Sequence, residues 1–351
     1  MSRLDTSLLL PVEVDPTAAS KEWWQRYHAY RRVRQMESHP DDPLWPDDQE
    51  EAHMKRDDPF KFRPHYCLDD GERVVSTLQA FAHKPGTPEY EGNKQFLKVE
   101  GAVIKDYRRH GLAKRWLPVV RQLMDNYGCT VLTVSTDEDD GHAFLSWLGA
   151  EPRITERENR LDFTKVDWPM VRAWLDEGEQ RNPDTKLVLC EQRVPPEVLP
   201  EYTRALTEMI NTAPMEELEH GAEVYTPKIA DERYSRIEMF GGGVHAYYTR
   251  ERDGAISGLT EAIYFPFEVD RIRQGFTGVG TQYRDRGLGK WIKAAMLLYL
   301  RDRHPQTTWV MTGNAGSNEP MLAINHKIGF RPHRNTVTYQ ISRDKLAAVL
   351  G

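Results

Sequence analysis

The sequence predicts an α/β protein made of two copies of one domain. Three observations carry that prediction: a repeated Arg/Gly loop, strand signals ahead of each loop, and an alternation of helix and strand signals behind it. The loop reads Arg108-Arg109-His110-Gly111-Leu112-Ala113-Lys114 and, half the chain later, Arg284-Asp285-Arg286-Gly287-Leu288-Gly289-Lys290. Ahead of the first, Asp70-Gly71 precedes the strand-like run Val74 to Phe81. Ahead of the second, Asp253-Gly254 separates Val244 to Thr249 from Ala255 to Phe265. Such dipeptides supply the positive φ that hairpin turns need.

Behind each loop comes a helical stretch, a β-rich run (Thr130 to Ser135, Thr307 to Thr312) and a second helix. Each copy then reaches Leu148-Gly149-Ala150-Glu151-Pro152 or Ile328-Gly329-Phe330-Arg331-Pro332. The order of signals matches twice, so two domains are expected, residues 1–180 and 181–351, joined near the polar stretch Glu177 to Lys186. The alternative is chance resemblance of two short loops, which the matching flanks oppose. The copies have diverged: the hairpin around Lys84 to Lys94 is longer than its counterpart, and His39 to Phe60, dense in Asp, Glu and Pro, reads as a surface excursion of the first copy.

The helices behind the loops differ. Lys290 to Leu300 is apolar almost all round, as a helix packed between a sheet and another element would be. In the first copy Leu112, Ala113, Trp116, Leu117, Val120, Leu123 and Met124 share one face, and Pro118 is expected to kink the helix. Trp23 and Trp24 fall on an amphipathic stretch, Glu22 to Met36, where core or lid packing is the expected role.

Composition bounds the function. The 351 residues carry 47 Lys plus Arg and 54 Asp plus Glu, a formal charge of -7, with 39% apolar and 29% charged residues. A wholly disordered chain is excluded, and no general attraction to nucleic acid or anionic membrane is expected. Cys67, Cys129 and Cys190 are far apart and show no metal or disulfide spacing, so they are expected as buried thiols. Histidines are scattered without metal spacing, so no metal is expected. The apolar cluster Leu8 to Leu10, flanked by Asp5 and Glu13, is too short and too acidic in its flanks for a signal peptide, and no apolar run approaches the roughly 20 residues that span a bilayer. A soluble cytoplasmic protein with neither nucleic-acid nor membrane partner is the expectation.

In Arg284-x-x-Gly287-x-Gly289 a β-rich run ends in a tight turn that opens a helix. Glycines let backbone amides approach a bound group, and the helix start offers unpaired donors at the positive end of its dipole. That arrangement suits phosphate, with Arg284 and Arg286 adding charge. An ordinary helix start is the plain alternative. Spacing and the missing Ser/Thr exclude a Walker A loop, and Gly278-Val279-Gly280 lacks the third glycine of a dinucleotide fingerprint.

With these loops the sequence resembles the GNAT superfamily of N-acetyltransferases, whose coenzyme A loop is (Gln/Arg)-x-x-Gly-x-(Gly/Ala). Asn318-x-x-Met321-x-x-x-Asn325-x-x-x-Gly329-Phe330 is similar to the superfamily's Asn-x-x-Ala-x-x-x-Tyr-x-x-x-Gly-Phe segment. A tandem-domain type is indicated. The resemblance implies two GNAT-like domains, each a mixed, mostly antiparallel sheet with splayed central strands flanked by helices. It also implies acetyl coenzyme A as cosubstrate and acyl transfer to a primary amine, small or peptide-borne. Coenzyme contacts are then expected from the loop residues Arg284, Arg286, Gly287, Leu288, Gly289 and Lys290, from Asn318 and Asn325, and from a backbone amide near Val279 that would polarise the thioester oxygen.

In the first copy Arg108, Arg109, Gly111 and Ala113 hold the corresponding places. There Glu138 replaces the superfamily's asparagine and Leu145 its tyrosine, which implies a weakened coenzyme site and leaves catalysis to the second copy. At the tyrosine position the second copy has Asn325, which cannot readily supply a proton, so the general acid is unassigned. His326 beside it is a second candidate, though a surface histidine is the simpler reading.

An attacking amine must be neutral, whereas an alkyl ammonium has a pKa near about 10.4, so a base is needed. Hairpin alignment makes Glu261 the candidate, with Gln79 as its counterpart in the first copy; the alternative is a solvent-facing strand residue. Gly241-Gly242-Gly243 needs only a turn explanation. A non-catalytic acyl coenzyme A binding protein is the rival reading. A third reading, aminoacyl transfer from charged tRNA, is opposed by the charge of -7. Acceptor identity is open, as is the choice between monomer and homodimer.

Overall fold

The structure, a computed structural model, describes residue 6, residues 9–315 and residues 317–350. Asp5 and Leu8 of the N-terminal cluster lie outside the described residues. In chain order the elements are β1 (Val12–Val14), α1 (Lys21–Ser38), α2 (Asp47–Lys55), β2 (Lys61–Phe62), β3 (His65–Asp69), β4 (Val74–His83), α3 (Tyr90–Asn93), β5 (Phe96–Val103), α4 (Leu112–Tyr127), β6 (Val131–Thr136), α5 (Asp139–Leu148) and β7 (Glu151–Asp162). They continue with α6 (Trp168–Arg181), β8 (Lys186–Cys190), α7 (Leu199–Ile210), α8 (Pro227–Glu238), β9 (Gly243–Arg250), β10 (Ile256–Tyr264), β11 (Arg271–Val279), α9 (Leu288–Arg303), β12 (Trp309–Ala315), α10 (Glu319–Ile328), β13 (Arg331–Ser342) and α11 (Arg343–Leu350).

Two compact units result: Met1–Ile154 with Glu217–Gly221 and Val337–Gly351, and Thr155–Glu216 with Ala222–Thr336. Against the expected halves at 180/181, the units exchange their last strands. In unit one the strand order is β1-β3-β4-β5-β6 followed by residues 337–342 of β13. In unit two residues 156–162 of β7 lie beside β12, followed by β11, β10, β9 and β8. The stretch expected as a linker belongs to unit two: α6 runs through Arg181, and Gly178 packs so tightly on Trp291 of α9 that an added Cβ would stand 2.2 Å from its ring.

Both hairpin turns are as expected, with Gly71 and Gly254 each at φ 90. In unit one the apolar side chains Leu68, Val75, Leu97, Met124 and Leu148 fill the core, each contributing roughly 1.5–3 kcal/mol on full burial. α1 starts where Ser20 Oγ accepts the N–H of Trp23, and buries Trp24 and Tyr30. The acidic excursion contains a helix rather than only surface loop: α2 carries Asp47, Asp48 and Glu50 in its first turn, where the dipole favours them, and Met54 and Phe60 are buried. α4 runs from Leu112 to Tyr127 with Pro118 inside it, on the exposed side, so that residue does not end the helix.

Each unit has one parallel pair, one strand in from its β13 or β7 end. In unit one β5 and β6 pair from Phe96↔Val131 to Val99↔Val134, and in unit two β11 and β12 pair from Arg271↔Trp309 to Arg273↔Met311. Beyond those pairs the strands part. The remaining pairings within each unit are antiparallel.

Candidate acyl coenzyme A site

In unit two the parting of β11 and β12 leaves residues 274–279 of β11 without a strand partner on that side among the described residues. Gly258 of β10 stands opposite Val279, and Gly280 N donates to Ser257 O at 2.9 Å. That pattern makes Gly258 and Val279 a non-hydrogen-bonded pair, so the Val279 N–H points away from β10 into the opening. The expected thioester-polarising amide thus faces the unpaired side of β11.

Past Gly280 a short 3₁₀ turn (Thr281–Tyr283) leads into Asp285 at φ 65 and Gly287 at φ 80, which caps α9. The first bond of that turn is Trp291 N to Gly287 O, 3.1 Å, so the amides of Leu288, Gly289 and Lys290 come before the helix ladder starts. Gly287 is needed for its left-handed backbone. Gly289 is not under that constraint: a Cβ there would make ordinary contacts with Ile324 and Val279, which suits the alanine at 113 in the other copy.

The charges around this loop divide in two. Arg284 is exposed and, among the described residues, its side chain donates only to Thr212 Oγ1, at 2.9 Å. Lys290 pairs with Glu177 at 3.3 Å, and Glu177 also holds Arg181, 3.1 Å away; Arg181 in turn donates to Asp285 O. These are surface pairs of small energy. Arg286 departs from expectation. It is committed to Glu251 (3.1 Å), Thr185 (2.8 Å) and Asn182 (3.1 Å), so it ties the loop to the β9–β10 turn instead of facing a ligand.

Asn318 caps α10 through a long 3.4 Å contact with Met321 N. Asn325 is buried. Its Nδ2 donates to Asn314 Oδ1 at 2.8 Å, and its Oδ1 accepts from Lys293 Nζ at 2.6 Å. Lys293, only 1% exposed on α9, also donates to Gln274 Oε1 at 3.0 Å. Gln274 continues the chain to Thr260, which meets Thr277 at 2.7 Å. A line of neutral partners around one ammonium therefore crosses the opening from β11 to β12. Desolvation lowers the Lys293 pKa to about 7. Sequence reading passed over this lysine, although a lone cation in a helix apolar on all sides was the available signal.

Glu261 is not solvent-facing: it is 2% exposed. By register it does match Gln79, since each stands three residues past the one (Gly258, Ser76) that opposes Val279 or Val103. A bulge between Thr260 and Ala262 frees Glu261 from its β11 partner. Its Oε1 accepts from Tyr202 OH of α7 at 3.0 Å, and its Oε2 pairs with Arg233 Nη1 of α8 at 2.7 Å. Burial, with the nearby Glu261 charge, pushes the Tyr202 phenol well above its ordinary range, so it remains a donor. Carboxylate oxygens retain further lone pairs.

The corresponding loop of unit one has the same backbone, with Arg109 at φ 64 and Gly111 at φ 77 capping α4, and Ala113 half-buried. Its charges are internally spent. Arg108 contacts Glu138 at 2.7 Å and Asp140 at 3.1 Å, Arg109 pairs with Asp140 at 2.7 Å, and Arg34 also binds Glu138. Burial opposes the Glu138 charge, yet the bonds from Arg34 and Arg108 outweigh it and hold its pKa below the ordinary value. A cavity of about 360 Å³ opens between α1 and β4–β5 of this unit, lined by Trp23, Tyr27, His65, Gln79 and Glu100 among others.

His326 is exposed, and Gly241 takes φ 70 in the turn before β9. The three cysteines are free and buried. Among the described residues no group of three or more His, Cys, Asp or Glu is placed to hold a metal, and no helix is long and apolar enough to cross a membrane.

No protein-family model and no curated protein matches the sequence. Solved structures do match. A tandem GNAT protein from the clavulanic acid biosynthesis pathway, solved without acetyl coenzyme A, superimposes with a TM-score of 0.73 at 19% identity, over 95% of this chain and 98% of that one. A GCN5-related N-acetyltransferase from Sphaerobacter thermophilus gives 0.62 at 12% identity, over 95% of each chain. The glucosamine N-acetyltransferase region of a fungal multi-domain GH3 beta-N-acetylglucosaminidase gives 0.65 at 12% identity, over 95% of this chain and 38% of that one. With its mixed sheets, parted central strands and Gly-capped helices, the chain has the fold of the tandem GNAT proteins.

Proposed function

We propose that unit two transfers an acetyl group from acetyl coenzyme A to a primary amine. The observation that carries this reading is the opening between β11 and β12, with the Val279 amide aimed into it and the Gly287-capped start of α9 at its end. The pyrophosphate would lie on the amides of Leu288, Gly289 and Lys290, with Arg284 and Lys290 supplying charge and Asn318 at the far side. The thioester oxygen would accept from Val279 N–H, which favours charge building on that oxygen as the amine attacks. Glu261 would take the amine proton, directly or through water, on a lone pair left free by Tyr202 and Arg233.

Unit one would be the unequal partner. Glu138 and Asp140 occupy the arginines that a pyrophosphate would need, so Arg108, Arg109, Gly111 and Ala113 would form at most a weak coenzyme site.

A non-catalytic acyl coenzyme A binding role is the second reading, favoured by the asparagine at 325 and by the two donors already on Glu261. Thiol release from acetyl coenzyme A, followed with and without a panel of alkylamines, amino sugars and lysine peptides, separates the two. Amine-dependent release supports transfer; tight binding with no release supports the binding role.

A further inference from the structure

The acetyl-transfer reading leaves the departing sulfur without a proton donor, because position 325 is asparagine. Resting on that reading, we propose that Lys293 is the acid of the reaction and gives an Nζ proton to the coenzyme A sulfur as the thioester breaks.

The geometry places it for this. Lys293 Nζ lies in the chain Gln274–Lys293–Asn325–Asn314, which bridges β11 and β12 where they part. An ammonium has three donors. Two are used, on Gln274 Oε1 and Asn325 Oδ1, and the third has no acceptor among the described residues.

A packing role alone does not account for this side chain. Leu117 stands five residues after Leu112 in α4 as Lys293 stands five after Leu288 in α9, and Leu145 stands four before Gly149 as Asn325 stands four before Gly329. Both leucines are buried, so the same fold packs this place without polar groups. Unit two instead carries the cost of a desolvated cation.

No opposite charge offsets that cost. The groups reaching Lys293 are Gln274 from β11, Asn325 from α10 and the Phe330 ring, 5.3 Å from Nζ; Thr260 of β10 and Asn314 of β12 touch it only through those amides. Among the described residues no carboxylate pairs with it, and Glu261 of β10 is committed to Arg233 and Tyr202. Burial alone brings the ammonium to about 7, where proton transfer at neutral pH is efficient.

In the step, the amine nitrogen bonds to the thioester carbon and the C–S bond breaks. The sulfur takes the Lys293 proton, and neutral Lys293 regains the proton that the amine released, through solvent. Amine and thioester become amide and thiol, with no proton left over.

The test compares the full chain with Lys293→Met and Lys293→Met/Asn325→Tyr, using acetyl coenzyme A and the amine panel above. Wild-type kcat is expected to fall as pH rises through about 7. Lys293→Met is expected to lose roughly 10²-fold in kcat, to lose that limb, and to keep its acetyl coenzyme A affinity by calorimetry. In the double variant the added phenol should recover at least about tenfold, with a new decline near about 10. Unchanged kcat and pH profile in Lys293→Met overturn the assignment, as does an NMR titration of the intact chain that puts Lys293 Nζ above about 9. Wild-type binding with no amine-dependent thiol release overturns the transfer reading itself, a distinct outcome.

Discussion

Arg233 Nη1 stands 2.7 Å from Oε2 of Glu261, and this pair joins α8 to the bulge of β10 in unit two. Glu261→Gln is therefore expected to act twice. Turnover should drop by roughly 10²-fold through loss of the base. Stability should also fall, by about 1–3 kcal/mol, less than the 3–5 of a fully buried broken pair because the Arg233 side chain keeps 25% of its exposure. Denaturant unfolding and initial rates on the same preparation check both. Loss of stability without loss of turnover would make the carboxylate structural only.

Lys293→Met is expected to stabilise the protein. The folded-state pKa, about 7, lies below the ordinary lysine value of 10.5, so between those values the unfolded chain binds more protons and stability rises with pH. At or below pH 7 the penalty is near its full size, on the order of 4–5 kcal/mol. Thermal unfolding at pH 6.5 and pH 9 should give a higher Tm in the variant at the lower pH and a smaller difference at the higher one. Equal Tm values at pH 6.5 would contradict a desolvated ammonium.

His245 supplies a second pH signature, unrelated to the site. Its Nε2 lies 2.9 Å from His304 Nε2 and its ring stacks on Tyr264 at 5.0 Å. Burial, then the neighbouring His304 and Arg303, lowers its pKa from 6.5 to about 4. The unfolded chain takes up this proton first on acidification, so stability should be lost as pH falls from about 6.5 towards 4. His245→Phe is expected to flatten that loss in urea titrations at pH 4.5 and 7. An identical acid slope in the variant would place the sensitivity elsewhere, with His65 and His83 next in line.

Local chemistry made the loops and their strands legible in the sequence. Gly111 and Gly287 announce left-handed helix caps, and the equivalence of Gln79 with Glu261 follows from counting along two hairpins, which the register of Ser76 and Gly258 reproduces. What stayed hidden depends on partners distant in sequence. Strand periodicity does not say which sheet β7 or the end of β13 will join. Arg286 has the residue type of a phosphate ligand, yet Glu251 and Asn182 claim it, and nothing near position 286 foretells that. Arg233 and Tyr202 reach Glu261 from helices whose own patterns speak only of packing.

Calorimetric titration of the intact chain with acetyl coenzyme A, repeated on Gly287→Glu and Gly111→Glu, tests the central claim most directly. A side chain at 287 would be strained at φ 80 and crowd Arg181, and a carboxylate there would repel pyrophosphate. Gly111→Glu meets open space, so only its φ of 77 costs stability. One tight site per wild-type chain is expected, lost in Gly287→Glu and kept in Gly111→Glu. Two equal tight sites, or binding that survives Gly287→Glu and disappears with Gly111→Glu, would contradict the placement of the coenzyme in unit two.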